Sequence, residues 1–184
     1  NIIEGSVISN PTYTSTTLLV NTQYWWRVRA VNDCGNGNFA SSTFTTANIS
    51  CNIFDATGLP TAIPDNTPTG LNSILNIGTD LIITDINVLI NITHTWDADL
   101  DIFIVSPEGT SVELTTDNGG DGNNYTNTIF DQEAATSIIT GSAPFTGSFI
   151  PEGNLSILNG EASAGDWTLR VVDDAGQDIG TLNA

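Results

Sequence analysis

The stretch His94-Thr95-Trp96-Asp97-Ala98-Asp99-Leu100-Asp101-Ile102-Phe103-Ile104-Val105-Ser106-Pro107 decides the fold. Successive side chains of a strand point to opposite faces, so this pattern predicts a half-buried strand over Leu100 to Val105. Leu100, Ile102 and Ile104 face a core, and the same period of two carries Asp97, Asp99 and Asp101 onto the other face. Three like charges along one edge are costly unless a cation sits among them.

Further strands are predicted outward from this stretch, at Ser73 to Ile77, Leu81 to His94, Ser111 to Thr115, Gly147 to Phe149 and Trp167 to Val172. Each is bounded by turn residues. Upstream, Thr12 to Val20 mixes polar and apolar residues, and Tyr24 to Ala30 alternates strictly. A turn follows at Cys34-Gly35-Asn36-Gly37, then a strand from Ser41 to Thr46. Tyr24, Trp26, Val28 and Ala30 share an inner face, which leaves Trp25 outward as an aromatic for a sugar or a partner. Helix-forming residues are sparse, while Thr, Ile, Asn, Gly and Ser dominate with turn clusters roughly every ten residues, the pattern of an antiparallel β-sandwich. Residues 48–66, rich in Asn, Thr, Pro and Ala and broken by Leu59-Pro60 and Ile63-Pro64, read as a linker.

Two resemblances sharpen this. Leu18, Thr22, Tyr24, Trp26, Arg27, Val28, Ala30 and Phe44-Thr45-Thr46 match the later strands of a fibronectin type III domain. About the last half of such a domain is covered, which implies a partial sandwich over 1–47. The second block resembles the P domain, or Homo B, of kexin- and furin-type proprotein convertases, which also trails many bacterial secreted metalloproteases. It carries His94-Thr95-Trp96, Asp99-Leu100, Ser106-Pro107 with Gly109-Thr110, Leu114, and Phe130-Asp131 with Glu133-Ala134. Ala143 to Gly147, Pro151-Glu152-Gly153, and Gly165 with Trp167-Thr168-Leu169 and Val171 continue the match, followed by Asp174, Gly180 and Leu182. The resemblance implies an all-β, jelly-roll-like sandwich over 67–184 that lacks the family's last strand, and the chain reads as a mature or excised piece of something longer.

Charge narrows the function. The chain has 21 acidic residues against three arginines and no lysine, a formal charge of −18. That surplus repels nucleic acid and anionic membranes. No apolar run reaches the roughly 18 residues a membrane helix needs, so membrane insertion is not expected. Fifteen of the acids are Asp, and short carboxylates suit hard divalent cations held by oxygen.

Calcium is the expected cofactor. Asp117-Asn118-Gly119-Gly120-Asp121-Gly122-Asn123-Asn124 supplies side-chain oxygens, with glycines able to turn carbonyls inward. The main site is expected from Asp97, Asp99, Asp101, Asp117, Asp121 and Asn124, closed from a third segment by Asp131, with Asp99, Asp117 and Asp131 at its heart. The resemblance supports this, since bacterial P domains carry acids at these motif positions. The spacing is not that of an EF-hand. Asp173, Asp174 and Asp178 form a second acidic turn, a weaker site or a hairpin tip.

Catalysis finds no support in the residues. His94 is the single histidine, and there is no HExxH, no G-x-S-x-G and no nucleophile beside a base. His94 is expected to be packed within the fold. Cys34 and Cys51 lack zinc or redox spacing and read as one structural disulfide, provided the chain after Ala47 folds back. A disulfide implies an oxidising compartment. With the P-domain resemblance, this implies a secreted, non-catalytic accessory region of a bacterial protease, whose partner is the protease domain in the parent chain. The alternative is a repeat unit of an extracellular filament or adhesin, pairing with neighbouring copies through open β-edges.

Overall fold

The computed structural model describes residues 18–19, 21–46 and 51–184. The chain divides into two units, residues 1–53 and 54–184. The division falls inside the stretch read as linker.

In the first unit, β1 (Gln23–Val28) pairs antiparallel with β4 (Ala40–Thr45), and β2 (Val31–Asn32) with β3 (Gly35–Asn36) makes a short hairpin between them. Tyr24 stacks on Phe44, its cross-strand partner, with ring centroids 5.7 Å apart. The expected inner face remains open, with Trp26 48% and Val28 50% exposed. The expected strand Thr12 to Val20 lies largely outside the described residues.

The expected disulfide does not form: Cys34 and Cys51 are both free and exposed. Cys34 sits in the hairpin turn, and the six-residue β4 then carries the chain away by about 20 Å.

The second unit is a two-sheet sandwich. Its five-stranded sheet runs in the order β11 (Phe145–Phe149), β10 (Tyr125–Phe130), β7 (Val88–His94), β13 (Gly180–Leu182), β5 (Thr61–Ile63). The four-stranded sheet runs β6 (Leu71–Ile77), β12 (Gly165–Asp173), β8 (Leu100–Val105), β9 (Ser111–Thr116). All pairings are antiparallel except β10 with β11.

Alternation builds the core as expected. Leu100 and Ile102 of β8 are wholly buried and Ile104 nearly so, and they meet Ile90 and Ile92 of β7 within one apolar cluster. Tyr125, Phe145 and Phe149 form an aromatic run through it, stacked at 4.8 Å and edge-to-face at 5.8 Å. The Trp167 indole N–H, buried with its ring, donates to the Ser163 carbonyl, which removes the cost of an orphaned donor.

Several elements differ from expectation. Thr61–Ile63, inside the predicted linker, is a strand paired with Gly180–Leu182. The long strand expected over Leu81 to His94 is confined to Val88–His94; in the segment before it, Ile82 makes only an isolated bridge to Ala162. Tyr125–Phe130 is a strand that the alternation did not reveal.

Candidate metal centre

Asp97–Asp99 is one turn of 3-10 helix rather than strand. This corrects the single acidic face expected for Asp97, Asp99 and Asp101. Asp97 and Asp99 turn into the protein, and Asp101, the second residue of β8, is half-buried.

The loop 117–124 closes against this turn through backbone bonds. Asp97 N–H donates to the Gly122 carbonyl at 2.9 Å, Ala98 N–H to the Gly120 carbonyl at 3.2 Å, and Asn124 N–H to Asp97 Oδ1 at 2.8 Å. Gly119, at φ +97°, is required by the close approach: a Cβ there would meet Asp97 Cβ and Phe145 Cε2, each at 2.9 Å. Two of the carbonyls expected to face an ion are thus engaged by backbone. The Asn124 side-chain oxygen also accepts from His94 N–H, at 3.1 Å.

The C-terminal acidic turn belongs to the same end of the sandwich, because β12 pairs with β8 and matches Asp173 with Leu100. Asp174 N–H donates to the Asp99 carbonyl at 3.0 Å. Asp173 is fully buried, its Oδ2 3.2 Å from His94 Nε2, and His94 Nδ1 lies 2.8 Å from the Trp96 carbonyl. His94 is therefore packed as expected, tying one sheet to the other. Asp178 accepts from the Thr95 hydroxyl at 2.8 Å, so the residues set apart as a second site adjoin the first.

Asp131 does not adjoin it. The strand β10 lies between Asn124 and Asp131 and separates them by about 20 Å. Asp131 Oδ1 instead accepts from Glu133 N–H at 2.9 Å, and Glu133 lies within electrostatic reach of Asp85. Asp117 and Asp121 are exposed.

Electrostatics mark the acidic end as starved of positive charge. Burial pushes the Asp97 carboxyl up to about 6, against the opposing pull of the Asn124 N–H and His94. Burial, then the charges of Asp117, Asp174 and Glu113, push Asp101 up to about 6, against the opposing pull of Arg170. Asp99 is raised by burial and by Asp173, Asp178 and Asp174. Buried oxygens of Asp97 (Oδ2), Asp101 (Oδ1) and Asp173 (Oδ1) make no hydrogen bond. Among the described residues, no three His, Cys, Asp or Glu side chains gather as a ready-made metal cage.

The proprotein convertase P-domain model matches residues 83–184, more than half of the chain, and spans every acidic segment just described. The chain belongs to the proprotein convertase P-domain family. Within the P domain, His94 and Trp167, both among the residues that carry the resemblance, are buried. A complex of Aeromonas sobria serine protease with the chaperone ORF2 is similar at 19% identity and a TM-score of 0.42, covering 88% of this chain and 25% of that one. Aeromonas sobria serine protease is similar at 18% identity and a TM-score of 0.41, covering 88% and 26%. The chain thus spans about a quarter of either structure. No curated protein sequence matches it.

Proposed function

We propose that the chain is a non-catalytic accessory region of a secreted protease, and that calcium stabilises its P domain at the acidic end. The observation that carries calcium is the set of buried carboxylate oxygens without a hydrogen-bond partner beside the 117–124 loop. A buried polar atom left unpaired is costly, and a charged one more so. Calcium takes six to eight oxygens, many of them carbonyl, amide or water, so it does not need three preassembled carboxylates. Asp101, at the start of β8, and Asp117, just past its cross-strand neighbour Thr116, are the residues that would hold it, with Asp174 beside them. The ion would supply the positive charge that three acidic segments lack.

Absence of catalysis is supported by the state of the one histidine, buried and engaged on both ring nitrogens, where no substrate reaches it. The partner is then the catalytic domain of the parent chain, which the P domain stabilises or helps to position.

Thermal melting tests the reading. The chain in millimolar calcium is expected to melt well above the chain in chelator, since a ligand at a hundredfold its Kd adds about 2.7 kcal/mol. Coincident melting curves would remove calcium from the account.

A further inference from the structure

Charge is divided unevenly between the two units. Residues 1–53 carry two acids, Glu4 and Asp33, and two cations, Arg27 and Arg29, so that unit is neutral. Residues 54–184 carry the other 19 acids with Arg170 alone, and so the whole surplus of 18. Two of the three cations therefore stand together on the one unit that has no acidic excess.

Their setting is specific. The register Trp25↔Thr43, Arg27↔Ser41 and Val28↔Ala40 puts Trp25 and Arg27 on one face of β1, and Arg29, just past the strand's end, shares Phe39 with Arg27. Phe39, the residue just before the partner strand β4, takes both guanidiniums on its ring, at 4.3 and 4.7 Å from the centroid. Trp25 is 77% exposed and Phe39 47%. Among the described residues neither arginine makes an ion pair.

A guanidinium laid over an aromatic ring is held in orientation and keeps N–H groups free for two-point bonding to a carboxylate or sulfate. An exposed indole beside it offers a flat apolar surface with one polar edge. We propose that this face binds an acidic polysaccharide, with Trp25 against the C–H face of a sugar ring and Arg27 and Arg29 on the anionic groups of its neighbours. The polymer engages the indole and the arginines together, whereas a carboxylate loop from a second copy engages the arginines alone.

Calorimetry on the full chain at physiological ionic strength tests this, with hyaluronan, chondroitin sulfate and neutral dextran as probes. Both acidic polymers are expected to bind and dextran not to. R27A/R29A is expected to weaken binding at least tenfold and W25A at least fivefold, with the melting temperature of each variant unchanged because all three side chains are exposed. The proposal is overturned if neither acidic polymer binds, if dextran binds as tightly, or if R27A/R29A binds as well as the parent. It is equally overturned if the double variant abolishes only a salt-sensitive self-association, which would assign the face to a second copy.

Discussion

Asp101 concentrates the conflict between burial and charge. Its carboxyl, like that of Asp97, holds a proton up to about 6 in the folded chain against 3.8 as a free side chain. As pH rises the unfolded chain therefore loses these protons first, and the deprotonated form is the one the fold disfavours. Without divalent cations, stability is expected to fall between about pH 4 and about pH 6 and to level off above; calcium should flatten that decline. Melting at several pH values with and without calcium checks this, and a chelated chain that gains stability over the same range would contradict it. Asp101→Asn removes the disfavoured charge, so in chelator at neutral pH it should melt above the parent chain while losing most of the calcium increment. Asp131→Asn should keep that increment, because Asp131 caps a turn at the other end of β10.

Among the elements, β13 depends on one glycine. It lies between β7 and β5, and Gly180 pairs with His94 on one side and Ile63 on the other. A Cβ at Gly180 would come within 2.3 Å of His94 Cδ2 and 2.9 Å of the Thr93 carbonyl. Gly180→Ala is therefore expected to cost about 1–3 kcal/mol, the usual penalty of overpacking, as measured by urea unfolding. Gly78→Ala, where nothing lies within 4 Å, is the control expected to change little. The strand most legible in the sequence is β8, whose buried and partly exposed residues alternate without a break. The strand β10 escaped because a register shift between Tyr125 and Thr128, with Asn127 at φ +49°, interrupts the period of two. Thr61–Ile63 and Gly180–Leu182 are three residues each, too short for periodicity to show; β13 becomes a strand by pairing with β7, and β5 by pairing with β13.

For the molecule as a whole, the acidic end was legible only where its residues are neighbours in sequence. Asp97, Asp99, Asp101 and the 117–124 loop could be grouped because one hairpin, β8 to β9, joins them. That Asp173 and Asp174 reach the same end follows from β12 pairing with β8, a contact between distant segments that no local pattern records. Asp131 lies away from that end for the converse reason, since β10, which no local pattern reveals, stands between it and Asn124. The partition of charge likewise becomes visible only when the division between residues 53 and 54 is known. The most direct test of the central claim is calcium calorimetry on the full chain near pH 6, in two buffers of different ionisation heat. Because burial raises the Asp97 and Asp101 carboxyls to about 6, a calcium ion bound beside them is expected to displace protons. The account predicts saturable binding with proton release that vanishes toward pH 8 and binding that is largely lost in Asp101→Asn. Saturable binding with no proton release at pH 6, unaltered by Asp101→Asn, would contradict it.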